Sequence, residues 1–89
     1  MSAATILHFP TRLTWERNGL DLTSDAFNPE GFYVGSYLVA APAPGAIHWT
    51  VTYRGPEQGA AIEDCGFAKT TEAAQATANS HWRGLFYAR

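Results

Sequence analysis

The sequence of 89 residues contains one cysteine, Cys65, and this excludes an intramolecular disulfide. Charged residues make up only 16% of the chain and include a single lysine, Lys69. The formal net charge is −2, so the sequence lacks the basic patch that is typical of proteins that bind nucleic acids or anionic membranes. Nucleic acid is therefore not the expected partner.

Long apolar runs are also missing. No stretch approaches the roughly 18 residues that a membrane-spanning helix requires. The first residues, MSAATILHFPTRL, lack the early charge and the long apolar segment of a signal peptide. We therefore expect no membrane association and a cytoplasmic location, in a bacterium or in an infected host cell.

Patterns of metal ligands and catalytic groups are absent too. His8, His48, His81 and Cys65 show no paired spacing such as C-x₂-C or H-x₃-H, so we expect neither a metal nor another cofactor. Nothing in the sequence places a base beside Cys65, which is expected to be a small buried residue. We predict no catalytic residues, and we expect His81 to bond to a backbone carbonyl at the edge of the core.

The strongest positive signal is the strand-like segment 47–54, IHWTVTYR, in which large apolar and polar residues alternate. Such alternation predicts one buried and one solvated face. Residues 32–40 are apolar on both faces, which indicates a central strand, with Gly35 marking either a bulge or a slot under a large neighbour such as Trp49. The turn at Pro44-Gly45 makes these two strands antiparallel. A weaker strand, 61–68, places Cys65 and Phe67 on one face.

The first third of the chain carries less pattern. Residues 12–16 alternate and predict a strand that ends at the turn Asn18-Gly19. Residues 20–30 are acidic and rich in turn formers, and we interpret them as a loop. This loop is expected to be a solvated segment or an acidic contact surface for a basic partner.

One helix is predicted, over residues 70–83. Thr70 is a suitable N-cap, Glu72 lies in the first turn, and Gly84 fits the left-handed residue after a helix end. At helical spacing, the stripe expected to face the sheet consists of small or moderately sized residues: Ala74, Ala78, His81 and Leu85.

These elements predict a single α+β domain over residues 1–89, with an antiparallel sheet of three to four strands and one C-terminal helix packed on one face. Residues 1–10 form an arm or edge strand, 11–68 the sheet, 70–83 the helix and 84–89 a tail. The second face of the sheet is expected to be an interface, or to be simply solvated, or to be covered by the arm and the tail.

A spaced pattern of aromatic and glycine residues runs through the chain. It comprises Trp15, Gly35-x-Tyr37-x-Val39, Trp49-x-Val51-x-Tyr53-x-Gly55 and Gly66-x-Ala68-x-Thr70, followed by Glu72-Ala73-Ala74-Gln75-Ala76. This pattern resembles small phage and prophage proteins of β-β-β-α type. The resemblance covers residues 11–83 and implies a fold and a phage origin. Some phage proteins of this size inhibit host defence complexes, and no functional residue is implied.

The same outline is similar to double-stranded-RNA-binding domains, but the lysine cluster that those domains place at the last helix is reduced here to Lys69. We therefore expect a small non-enzymatic protein that acts by protein–protein contact. The expected contact residues come from the acidic segment, the sheet and the helix edge: Asp21, Asp25, Tyr33, His48, Arg54 and Trp82. The alternatives are a structural homodimer without another partner and a nucleic-acid-binding module that uses arginines, namely Arg12, Arg17, Arg54 and Arg83.

Overall fold

The computed structural model describes residues 13–87, which form one antiparallel sheet and one helix. The five strands follow each other in space as they do along the chain, and every neighbouring pair is antiparallel. This α+β architecture confirms the predicted class and corrects the predicted strand count of three to four. The elements are β1 (Glu16–Asn18), β2 (Asp21–Phe27), β3 (Tyr33–Ala40), β4 (Trp49–Arg54), β5 (Ile62–Ala68) and α1 (Thr71–Phe86).

The additional strand is β2, where the sequence analysis predicted a loop. Leu22, Ser24 and Ala26 alternate inwards and are all buried, while Asp25 points to the opposite, solvated side. The period of two is therefore present, but its inward positions include a serine and an alanine in place of large β-formers. The buried Ser24 hydroxyl donates a hydrogen bond to the Asp25 carbonyl at 3.0 Å, which lets a polar residue occupy the core.

At the N-terminal end, the first strand begins later than predicted. β1 starts at Glu16 and, among the described strands, pairs with β2. The turn between them is Gly19-Leu20, one residue later than the predicted Asn18-Gly19, with Gly19 at a φ of 67°. Leu13 precedes the strand and is a core residue, and its N–H donates to the Asn79 carboxamide oxygen at 2.9 Å. The predicted arm or edge strand, 1–10, lies outside the described residues.

The central strands β3 and β4 pair as predicted, with Val39 opposite Val51 and Tyr37 opposite Tyr53. Gly35 has a φ of 136°, and a side chain there would meet the Arg54 carbonyl and lie 2.8 Å from Cε1 of Tyr53. The slot predicted at Gly35 is therefore present, but Tyr53 and not Trp49 lies over it. The Tyr53 hydroxyl crosses β3 at this point and donates to the Val34 carbonyl.

β5 contains a bulge that the alternation rule missed. Val51 pairs with Gly66 and Thr52 with Asp64, so Cys65 is an extra residue between two register positions. The bulge reverses the alternation, and Cys65 therefore lies beside the helix whereas Phe67 lies on the opposite face. The prediction that these two residues share one face was wrong.

Helix α1 begins as predicted and ends later. The Thr70 hydroxyl accepts a hydrogen bond from the Ala73 N–H at 3.1 Å, which is the expected N-cap. The helix continues through Gly84 to Phe86, so Gly84 is not a left-handed terminus and the predicted tail, 84–89, is largely helical in its described part. The extra turn brings Phe86 within 6.4 Å of the Tyr53 ring, between centroids, on the covered face.

The buried stripe of the helix consists of Ala74, Ala78 and Trp82, each at most 1% exposed. Leu85, which was predicted to belong to the stripe, is 52% exposed. The helix is rotated from its predicted orientation because burying the large indole of Trp82 removes more apolar surface from water than burying Leu85 would. The small residues Ala74 and Ala78 allow close packing against Val51 and its neighbours in the same core cluster.

Candidate functional site

The two faces of the sheet differ in what covers them, and the face opposite the helix is the candidate functional site. We call it the open face. Cross-strand pairing arranges its side chains in three rows, and the residues of a row lie side by side across the strands. The rows are Asn18, Asp21, Ala40, Thr50 and Phe67; then Glu16, Thr23, Leu38, Thr52 and Asp64; then Asp25, Ser36, Arg54 and Ile62.

The apolar residues of the open face are Leu38 near its centre and Ile62 and Phe67 on β5. They are 37%, 60% and 63% exposed, respectively. Leu38 and Ile62 help to line a shallow depression of about 270 Å³ that also includes hydroxyl groups and the Arg54 side chain. This mixture of apolar and hydrogen-bonding groups on an exposed surface is typical of protein interfaces.

Charges lie around this centre. Glu16, Asp25 and Asp64 are exposed acids on three different strands, and Arg54 is an exposed base on β4. Within residues 13–87 the side chains of Asp25 and Arg54 form neither an ion pair nor a hydrogen bond.

The structure brings together some of the contact residues predicted from the sequence. Asp25 and Arg54 lie in the same row of the open face, on either side of Ser36. His48 is exposed and borders a small depression together with Phe67. Asp21 has a structural role, because its Oδ1 accepts a hydrogen bond from the Ala41 N–H at 2.9 Å.

Two further predicted contact residues lie outside the three rows. Trp82 is 1% exposed, so its prediction as a surface contact was wrong. Its indole N–H donates to the Phe27 carbonyl at 2.9 Å, and its ring packs edge-on against Tyr87 at 4.7 Å between centroids. Tyr33 is half-exposed at the start of β3 and packs edge-on against Phe27, away from the centre of the three rows.

Sequence reasoning missed the contribution of β2 and β5 to this surface. Thr23 was assigned to a loop, and Phe67 was assigned to the face of Cys65. A signal was present in each case: the alternation of residues 21–27, and Gly66 within a strand, which often marks a bulge.

The covered face holds a chain of three polar side chains. The Tyr37 hydroxyl lies 2.7 Å from Nδ1 of His81, and Nε2 of His81 lies 2.8 Å from Oε1 of Glu63. Burial raises the pKa of Tyr37 well above its usual value, so its hydroxyl keeps its proton and donates to Nδ1 when that nitrogen carries no proton. In a neutral imidazole, Nε2–H then donates to the Glu63 carboxylate. The predicted partner of His81, a backbone carbonyl, is replaced by these two side chains.

Cys65 lies beside this chain, and together with His81 and Thr77 it borders a shallow pocket at the edge of the helix. Burial, with the nearby carboxylates of Glu63 and Asp64, raises the pKa of the Cys65 thiol to about 11. A thiol with such a pKa is protonated at neutral pH and is a weak nucleophile. The environment of Cys65 thus opposes thiolate chemistry.

Comparison with protein-family models, curated proteins and solved structures found no match for this chain. Residues 13–87 contain no group of three or more His, Cys, Asp and Glu side chains that could hold a metal ion. No helix within this part of the chain is long and apolar enough to cross a membrane. The function is therefore argued from the geometry of the open face.

Proposed function

We propose that the protein is a non-enzymatic binding protein that acts by contact between its open face and another protein. The observation that carries this proposal is the exposed apolar centre of that face, with Leu38, Ile62 and Phe67, bordered by charged residues that have no described ion-pair partner. An apolar centre with a polar rim is the usual anatomy of a protein interface.

The chemistry of the covered face supports a binding role over catalysis. Tyr37 and Cys65 both have raised pKa values, so neither is prepared to act as a base or a nucleophile at neutral pH. His81 is held between two partners that connect β3, β5 and the helix. This arrangement is what a stabilising polar network requires.

Of the arginines proposed for nucleic-acid binding, Arg12 lies outside the described residues, and the three described ones are not on one surface. Arg54 belongs to the open face, Arg17 is paired with Leu22 on the covered side of the sheet, and Arg83 is on the helix. Acidic residues also outnumber Arg54 on the open face. This distribution favours a protein partner, because phosphate binding needs bases gathered on one face.

The phage origin and the inhibition of a host defence complex rest on the pattern-level resemblance alone. The cytoplasmic location rests on the composition of the chain. Both remain part of the proposal, and both agree with a small protein whose largest feature is a contact surface.

The test compares two leucine variants in affinity capture from bacterial lysate. Leu38→Glu introduces a charge at the centre of the open face, and Leu85→Glu introduces the same charge on the exposed side of the helix. We expect at least one protein to be captured by the wild type and by Leu85→Glu but not by Leu38→Glu. Urea denaturation of each variant checks that the fold is retained.

The same captured proteins with all three baits would contradict the proposal, because the open face would then contribute nothing to binding. Loss of capture with Leu85→Glu alone would move the contact surface to the helix.

A further inference from the structure

The charges of the open face are arranged so that the face is complementary to itself. Asp25 and Arg54 lie in one row and flank Ser36, which is on the central strand β3. The acid is therefore one strand away from β3 on one side, and the base is one strand away on the other. Neighbouring strands are about 4.8 Å apart, so both charges lie at similar distances from β3.

A two-fold axis that runs parallel to β3, between two facing sheets, exchanges the two sides of β3. This operation places Asp25 of one copy opposite Arg54 of the second copy and, by symmetry, Arg54 opposite Asp25. Packed sheets are about 10 Å apart, a separation that an arginine and an aspartate can bridge together. Two equivalent ion pairs would form, each from residues that lack an ion pair in the described chain.

The same operation also matches the other residues near the axis. Leu38 meets Leu38 of the second copy, which buries the apolar centre, and Thr23 of one copy faces Thr52 of the other. The fit fails at the outer edges of the interface. Glu16 faces Asp64 at the ends of the middle row, and Asn18 faces Phe67 at the ends of the first row. Twisted sheets diverge away from their centre, so the repulsion between Glu16 and Asp64 is weaker than the central attraction.

We propose that the open face binds a second copy of this chain in a face-to-face, two-fold dimer with β3 at its centre. This inference rests on the proposed function, because both require the open face to be a protein-contact surface. Five strands span about 19 Å and three rows about 14 Å, which is small for a protein interface, so the dimer is expected to be weak and to form only at high protein concentration. Another protein partner would bind in competition with the second copy.

The experiment is sedimentation velocity of the full chain from about 5 to 500 µM, with charge-exchange variants. We expect the mass to rise from 9.7 kDa to twice that value with concentration. Asp25→Arg and Arg54→Asp should each weaken the dimer at least about tenfold, because each variant creates two like-charged pairs. The double variant Asp25→Arg/Arg54→Asp should restore the affinity to within about threefold, since it reverses both pairs.

Glu16 and Asp64, at the outer ends of the middle row, allow a test in which the affinity of the dimer should increase. Glu16→Lys converts the Glu16–Asp64 repulsion between copies into attraction, so it should tighten the dimer several-fold. Glu72→Lys is the matched control, because Glu72 is an exposed acid on the helix and should leave the dimer unchanged.

A wild-type chain that is still a monomer at about 500 µM would overturn the inference. That result would also be seen if a segment of the same chain covered the open face. A dimer insensitive to the single charge variants would place the interface elsewhere, and failure of the double variant to recover would reject the two-fold register. These results are separable from those of the lysate capture. A monomer that still captures a protein through Leu38 would remove the dimer and leave the proposed function intact. If the predicted dimer formed but no protein were captured in a way that depends on Leu38, a role in binding other proteins would be rejected.

Discussion

The two faces of the sheet are built from the same five strands but differ in the burial of their side chains. On the covered face, alternate residues of the central strands meet Trp82 and the alanines of the helix, and Tyr37, Val39 and Val51 are at most 1% exposed. On the open face, the other alternate residues are threonines, acids and a few exposed apolar groups. The comparison shows that the fully buried side chains of the central strands lie on one face, which leaves the side chains of the other face exposed.

Substitution of a large aromatic residue is expected to give the largest difference in the free energy of unfolding between the two faces. Trp82→Ala on the covered face should lower the free energy of unfolding by about 3–5 kcal/mol, because it removes a fully buried side chain and leaves a cavity. Phe67→Ala on the open face should change it by less than about 1 kcal/mol. Urea denaturation of both variants at low protein concentration measures the contrast. Equal losses would show that the open face is also part of the core.

The next contrast concerns two glycines with positive φ. Gly35→Ala should cost about 2–4 kcal/mol, since a methyl group would collide with the Arg54 carbonyl and the Tyr53 ring in an unfavourable backbone conformation. Gly45→Ala, in the turn before β4, has open space around it and should cost only the conformational strain of about 1–2 kcal/mol. Thermal or urea unfolding would detect the difference. Similar losses at both positions would mean that Tyr53 does not lie over Gly35.

Substitutions in the polar chain Tyr37–His81–Glu63 should change the free energy of unfolding by a smaller amount. Tyr37→Phe removes the donor to Nδ1 of His81 and should cost about 1–2 kcal/mol, because it leaves a partly buried nitrogen unpaired. Tyr33→Phe is the control, since Tyr33 is half-exposed, and it should cost less than about 0.5 kcal/mol. A change in the ¹⁵N chemical shifts of the His81 ring should accompany Tyr37→Phe alone. If those shifts stayed at their wild-type values, the hydrogen bond would be disproved.

The last prediction concerns the dependence of stability on alkaline pH. The pKa of Cys65 is raised from 9.0 to about 11 in the folded chain, chiefly by burial, and burial also raises the pKa of Tyr37. Between pH 9 and about pH 11, the unfolded chain has already released the proton of the Cys65 thiol, while the folded chain retains it. The unfolded state therefore binds fewer protons, and the contribution of Cys65 is complete below about pH 9 and is lost as the pH rises towards 11.

Urea midpoints at pH 8, 9 and 10 provide the measurement. We expect the midpoint to fall with pH, and we expect Cys65→Ala to reduce the slope without removing the part due to Tyr37. A midpoint that rises with pH would show that the folded chain stabilises the thiolate.

The sequence by itself determined the fold class, the central antiparallel pair and the start of the helix at the Thr70 cap. These features depend on local chemistry: alternation along residues 47–54, a turn at Pro44-Gly45, and a hydroxyl that caps the helix. It did not determine β2, whose inward residues Ser24 and Ala26 are too small to mark a strand. The alternation of residues 21–27 is present but weak, and the burial of these two residues follows from tertiary packing.

The tertiary structure alone decided which residues form the candidate site. One bulge at Cys65 reversed the alternation of β5 and moved Phe67 to the open face. Burial of Trp82 rotated the helix and removed this residue from the predicted contact surface. The alignment of Asp25 and Arg54 depends on pairing among three strands, so it cannot be derived from either residue's neighbours in sequence. Side-chain direction is local only while the register is regular, whereas the register itself is set by which large residues fill the core.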